Sequence, residues 1–209
     1  MTGPVQTDWR RHRDLPEAGD MDTREIEFVE FDDAALPELL RSQVLSFLRL
    51  QWPEGFTGEL RYRDWITRSD LTPYHLLYVA HGLVVSHLEL IRVTVEHEGV
   101  SYKVRSPTTV LTYPSFQGEG WAKKLVTEAV RRIDASDADL GIVYCNPDLE
   151  GFYASCGWTP MPGARTVVGP EPTEAEESTD MMLMRFVTDK GQRGRDSFLR
   201  SPLWITDEW

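Results

Sequence analysis

Apolar residues recur along this chain with two different periods, and the switches between them outline its elements. From Trp121 they fall at Trp121, Leu125, Ala129 and Ile133, flanked by Ala122, Val126 and Val130, a stripe of helical period that predicts a helix over 118–135. An earlier stripe, Leu36, Leu40, Val44, Phe47 and Leu48, predicts a helix over 34–50, with Asp32 or Asp33 placed to cap it. Before it, 25–31 sets Ile26 and Phe28 on one face, as a strand does. Gln51 to Gly58, with one Pro and two Gly, breaks the first helix, and a short second helix is expected over 62–68. An antiparallel meander follows, with strands 74–80, 83–96 and 100–112 joined by turns at His81-Gly82 and Glu98-Gly99. Beyond the 118–135 helix come a strand at 141–145, a short helix at 149–156, an acidic loop at 170–180 and an apolar closing strand at 181–187. Residues 1–23 show no periodicity and read as a disordered or loosely docked extension. The tail, 188–209, is polar until Leu203-Trp204-Ile205 and Asp207-Glu208-Trp209.

The junction between the third meander strand and the long helix carries candidate chemistry. Thr112-Tyr-Pro-Ser-Phe-Gln-Gly-Glu-Gly-Trp-Ala122 is a strand end, a Pro114 that stops pairing, and a Gly-bearing turn into a helix. A helix start offers unpaired backbone N–H groups and a partial positive charge. Gly118 and Gly120 have no Cβ to hold a bulky anion away, and Lys123 and Lys124 add charge one turn in. Residue chemistry therefore points to a pyrophosphate site; a strand-to-helix turn that binds nothing uses the same residues.

Two spaced motifs decide between these readings. Gln117-x-x-Gly120-x-Ala122, a few residues after Pro114, resembles the Arg/Gln-x-x-Gly-x-Gly/Ala loop that takes the acyl-CoA pyrophosphate in the GNAT superfamily of N-acetyltransferases. Downstream, Asn146 is followed by Tyr153 and then Gly157-Trp158, which is similar to the family's second motif. The resemblance runs from about Glu25 to Val187 and implies an α/β fold: a central mixed, mostly antiparallel sheet with helices on both faces. The implied organisation is an extension (1–23), an acetyltransferase domain (24–188) and a tail (189–209) that can fold back on the substrate site.

The resemblance also implies roles. Acetyl-CoA would be the co-substrate, with no metal. Its pantetheine would lie along the backbone of Val110, Leu111 and Thr112, and its pyrophosphate on Gln117, Gly118, Glu119, Gly120, Trp121 and Ala122. Asn146 would touch the pantetheine arm, although a strand-end cap before Pro147 is an equally good use for it. A neutral amine would attack the thioester directly, with a backbone N–H near Leu111 or Thr112 for the oxyanion and Tyr153 as proton donor to the leaving thiolate. The base is unassigned, because Thr108 stands where many relatives carry Glu. Glu89, acting through water, is the candidate and His87 the alternative; a strand residue facing solvent is the commoner reading of both. The segment around Tyr153 and the Asp-x-Trp chain end resemble the aminoglycoside 2′-N-acetyltransferase branch, which implies Asp207 and Trp209 as substrate contacts.

Composition narrows the partners. The chain has 209 residues, 41% hydrophobic, enough for one domain with its own core. A net charge of −12 disfavours nucleic acid or anionic membrane and suits a small cationic amine. No apolar run approaches the ~18 residues of a membrane span, and the polar first twenty residues do not read as a secretory signal. Two cysteines, Cys145 and Cys156, make no disulfide framework, so a reducing cytoplasm is the expected compartment. Four of the histidines, His75, His81, His87 and His97, show no metal spacing. An acyl-CoA-binding module without turnover, a peptide N-terminal acetyltransferase and a homodimer all remain open.

Overall fold

The structure, a computed structural model, describes residues 25–207 and 209; the expected 1–23 extension lies outside them. The chain forms strand β1 (Ile26–Asp32), helix α1 (Glu38–Gln51), strands β2 (Tyr74–Ala80), β3 (Leu83–His97) and β4 (Val100–Thr112), and helix α2 (Trp121–Asp134). After these come β5 (Leu140–Cys145), α3 (Glu150–Ser155), β6 (Thr159–Pro160), β7 (Thr166–Val168), β8 (Glu176–Glu177), β9 (Met181–Phe186), α4 (Asp189–Arg200) and β10 (Leu203–Ile205). Seven strands make one sheet in the order β1-β2-β3-β4-β5-β9-β6, and β10-β7-β8 make a small second sheet. Within the large sheet every neighbouring pair is antiparallel except β4 and β5. This is the mixed, mostly antiparallel GNAT sheet that the resemblance implied.

Side-chain alternation puts one helix on each face. Leu76, Leu88 and Leu90 point to the face that packs Leu125, Val126, Ala129 and Ile133 of α2. Leu77, Val84 and Leu111 point to the other, where Leu40, Val44 and Leu48 of α1 cover them. Each such buried aliphatic contributes about 1.5–3 kcal/mol, so each helical stripe fixes its helix on the sheet.

Three sequence expectations are corrected. The α1 helix begins at Glu38, after a 3₁₀ turn at Asp33–Ala35, and neither Asp32 nor Asp33 caps it; the Asp33 carboxylate instead accepts from Arg41 Nη2 at 2.6 Å. The expected 62–68 helix is absent. Two 3₁₀ turns (Pro53–Phe56 and Gly58–Tyr62) and an irregular segment occupy that connection, with Pro53, Gly55 and Gly58 interrupting any helical run and Trp65 drawn inward to 8% exposure. Helix α2 starts at Trp121 because Gly118 (φ 82°) and Gly120 (φ 84°) sit in the left-handed region, which stops the helix extending upstream. Among the described residues, the polar tail forms α4 and β10. Thr188 caps α4 by accepting from Gly191 N–H, and Phe198 enters a core with Tyr102, Val104, Leu140 and Ile142. Gly191 and Gly194 let that helix lie close: a Cβ at either would run into the Asp139 carbonyl or the Tyr102 hydroxyl.

Candidate active site

Strands β4 and β5 pair over only two positions, Val104 with Leu140 and Arg105 with Gly141, and then part. A bulge assists the separation. Between His87 and Glu89 on β3 the partner on β4 moves from Leu111 to Thr108, so β4 carries one extra residue, and Thr109 there adopts φ 49°. A cavity of about 640 Å³ opens where the strands diverge. Pro107 to Val110 line it from β4, Tyr144 to Asn146 from the end of β5, and Tyr153 from α3. Trp52, Glu54 and Thr67 close it from the connection after α1, and Asp180 and Trp209 from the C-terminal half.

The expected cofactor residues divide between this cavity and the surface beside it. Val110 and Asn146 line the cavity; Leu111 is buried, its carbonyl accepting from the Ser86 hydroxyl at 2.8 Å. Thr112 bonds the same hydroxyl at 2.9 Å, and Gln117 reaches back to the Thr112 carbonyl at 3.1 Å, which fixes the loop to the end of β4. Gly118, Glu119 and Gly120 are exposed, and the space where a Cβ would project at either glycine is empty. Trp121 is buried against Tyr78, with ring centres 4.9 Å apart, and its indole N–H donates to Glu119 at 3.0 Å. The α2 N-terminus is thus an open backbone surface whose first turn carries no acidic residue. Asn146 Oδ1 accepts from Asp148 N–H at 3.0 Å, the capping use, while the residue still faces the cavity.

Tyr153 lines the cavity yet is only 6% exposed, packed with Cys145, Cys156 and Trp158. Burial pushes its phenol well above its ordinary value, so it holds its proton at neutral pH and can act as a hydrogen-bond donor. Burial likewise pushes the Cys145 thiol up to about 11, which removes it as a nucleophile.

The largest departure from expectation concerns Glu89. Neither Glu89 nor His87 faces solvent; both, with His75, are fully buried. Glu89 Oε1 accepts from Trp65 Nε1 at 2.5 Å and Oε2 from the Thr67 hydroxyl. Burial pushes the carboxyl up to about 7, against the pull of those two donors. Thr67 is the cavity-lining residue, so Glu89 stands one hydroxyl behind the wall. His75 Nδ1 lies 3.1 Å from His87 Nε2 and 3.8 Å from Glu89 Oε1, and the donor atoms of all three residues fall within 4.8 Å of one another. Burial lowers both imidazoles, His87 the more strongly. Spacing in the sequence gave no hint of this cluster because His75 comes from a different strand. The usable signal was His87 and Glu89 two residues apart on one face of an otherwise apolar strand.

At the acceptor end, Trp209 lines the cavity, with its ring 5.7 Å from Tyr144. Asp207 does not line it; it is exposed and pairs with Arg68 at 3.5 Å.

A family model described as the acetyltransferase (GNAT) domain matches residues 37–161. The chain belongs to this family. Solved structures share the GNAT fold at low identity. Escherichia coli YhbS, a GNAT family N-acetyltransferase in complex with CoA, has a TM-score of 0.56 and 13% identity, covering 88% of this chain and 90% of that one. Escherichia coli ElaA has a TM-score of 0.53 and 16% identity, covering 77% of this chain and 99% of that one. An aminoglycoside 6′-N-acetyltransferase complexed with coenzyme A has a TM-score of 0.53 and 11% identity, covering 78% and 97%. Among the described residues of this GNAT domain protein, no helix is long and apolar enough to cross a membrane.

Proposed function

We propose that this protein moves the acetyl group of acetyl-CoA onto a primary amine of a small cationic substrate by direct attack. The observation that carries the reading is the cleft between β4 and β5, with Tyr153 and the Glu89-bonded Thr67 on its wall and the glycine loop after the end of β4. The pyrophosphate would take the backbone N–H groups of 117–122, and the pantetheine would run along Val110–Thr112 with Asn146 beside it. That two structural neighbours were solved with CoA supports this choice of ligand.

In the reaction the amine nitrogen attacks the thioester carbonyl and the C–S bond breaks. The nitrogen's proton passes through the Thr67 hydroxyl, which takes it and gives its own to Glu89. A carboxylate whose proton leaves near pH 7 is matched to that task, and such acid–base help contributes about 10²–10⁴-fold. The Tyr153 hydroxyl hydrogen-bonds the departing thiolate, and backbone N–H groups of the bulged strand hold the oxyanion. Glu54 and Asp180 on the cavity wall, the Trp209 ring and the nearby Asp207 suit an acceptor bearing several ammonium groups, of which aminoglycosides and polyamines are the first to try.

Calorimetry with CoA, followed by thiol release from acetyl-CoA in the presence of polyamines, aminoglycosides and N-terminal peptides, tests the proposal. Thiol release with a cationic amine is expected. CoA binding without release from any acceptor would leave a binding module, and no CoA binding at all would end the enzymatic reading.

A further inference from the structure

The buried histidine pair has a proton count that does not close with neutral rings. Three contacts each need one proton: His75 Nε2 to Asp33 Oδ1 at 3.3 Å, His75 Nδ1 to His87 Nε2 at 3.1 Å, and His87 Nδ1 to the Thr109 carbonyl at 3.3 Å. Two neutral imidazoles supply only two. Either two lone pairs face each other in a site closed to water, or the pair carries a third proton. Asp33 Oδ1, 3.3 Å from His75 Nε2, and Glu89 Oε1, 3.8 Å from His75 Nδ1, are the carboxylates that balance that charge.

We infer that His75, His87 and Glu89 share one proton, and that the histidine pair is the positioning element that sets the pH at which Glu89 becomes a base. With the proton on the pair, the three contacts are satisfied and Glu89 is an anion held by Trp65 and Thr67. With the proton on Glu89, the carboxyl can donate to the Thr67 oxygen, and one histidine contact is left without a hydrogen. Moving between the states breaks an O–H bond at Glu89 and forms an N–H bond at His75 Nδ1, with no co-reactant. The 3.8 Å gap is longer than a hydrogen bond, so the transfer requires a rotation about the terminal Glu89 torsion, which is broad.

Asp33 favours the charged pair, against the burial that lowers both imidazoles. Of the charged groups that face it, Glu89 lies inside the cluster and Asp33, on the turn before α1, reaches the outer nitrogen of His75. Burial works against the Asp33 anion, but hydrogen bonds from Arg41 and His75 hold its carboxyl below the ordinary value, so it stays charged. Among the described residues, Arg41 of α1 is a cation beside the cluster; it bonds Asp33 and lies over the Trp65 ring at 4.8 Å. Burial alone favours the uncharged state of each member, which is why the proton is a property of the couple and not of one residue.

The effect on the base rests on the proposed acyl transfer; the proton count does not, so the experiment has two arms. In the first, ¹⁵N spectra of the histidine rings, assigned with His75→Gln and His87→Gln, are followed from pH 5 to 9. Both rings responding together to one step near pH 7, with that shared step lost in either variant, is expected. Two neutral rings throughout would overturn the inference, as would one zinc per chain on metal analysis of the purified protein. In the second arm, Asp33→Asn, a partly exposed change outside the core, removes the anion that holds the pair charged. It should lower the midpoint of the kcat/KM pH profile by about half to one unit, because the couple then holds its proton less tightly, while sparing the alkaline plateau. A uniform loss at every pH, with an unmoved midpoint, would reduce the pair to a structural role. If no acceptor turns over at all, the first arm still decides the proton.

Discussion

Replacing Gly120 with Ala and with Asp separates backbone strain from charge at the α2 N-terminus. The residue sits at φ 84°, and no atom lies within 4 Å of where a Cβ would be. Steric clash within the protein therefore contributes nothing. Holding an L-residue in the left-handed region costs about 1–2 kcal/mol, and the stiffer unfolded chain returns about 0.4–1 kcal/mol of that. Gly120→Ala should thus lower Tm by only about 2–4 °C for about 1 kcal/mol lost. Asp adds a like charge. At about 5 Å each charge pair with a diphosphate repels by about 1 kcal/mol in water and about 3 kcal/mol at a protein surface. Two such pairs give about 2–6 kcal/mol, or at least about a 30-fold weaker Kd for CoA. Calorimetry of both variants at two salt concentrations is the assay, because the Asp penalty should shrink as salt screens it. If Gly120→Asp binds CoA as tightly as Gly120→Ala, no diphosphate meets this helix start, and the cofactor assignment fails with it.

The proton-transfer groups give further expectations. In the wild type, kcat/KM should climb with pH to a plateau with its midpoint near 7, since the Glu89 couple works only after losing its proton near that pH. Glu89→Gln should abolish that limb and lower the plateau by about 10²–10³-fold; an unchanged profile would exclude Glu89. Tyr153→Phe keeps the buried ring and loses only the hydroxyl, so thiol release should slow by about 10–100-fold with Tm nearly unmoved. An unaltered rate would remove Tyr153 from the chemistry. Gly191→Ala drives a Cβ into the Asp139 backbone and should cost about 1–3 kcal/mol, roughly 3–10 °C in Tm, without changing the Kd for CoA. A stable Gly191→Ala protein would mean that α4 does not press against the Asp139 backbone.

What the sequence could reveal depended on how local the cause was. The α2 stripe and the strand alternation are decided by neighbours within a few residues, so α2 and most strand limits were legible, whereas the positive φ of Gly118 and Gly120 that delays the α2 start to Trp121 was not. The α4 helix was not, because it is polar over most of its length and is held by Phe198 and by glycines whose value lies in contacts with Tyr102 and Asp139, far away in sequence. The 62–68 segment misled for a similar reason. Trp65 there serves a carboxylate 24 positions on, and that bond, not local helical preference, sets its backbone. Glu89 itself was visible as a candidate, but its burial was not. Only the register of three strands and one irregular connection places His75, His87, Trp65 and Thr67 around it.

Register also explains how the acid can be absent from β4 and the site still be complete. Glu89 and Thr108 are direct cross-strand partners, and such partners project to the same face with Cβ atoms about 4.5–5.5 Å apart. Moving a carboxylate from position 108 to position 89 therefore shifts it sideways by one strand without turning it away. What changes is its surroundings. Thr108 is half-buried and lines the cavity, whereas Glu89 is sealed and reaches the cavity through Thr67. A carboxyl at 108 would ionise closer to its ordinary value and meet the amine without an intermediary. The double variant Glu89→Gln, Thr108→Glu should consequently recover at least about tenfold of the activity lost in Glu89→Gln, with the acid limb of its pH profile moved below that of the wild type. Recovery with an unmoved limb would show that the limb belongs to another group. No recovery, in a variant that still binds CoA, would show that the Thr67 bridge and the histidine pair are indispensable to the base and not merely the means of reaching it.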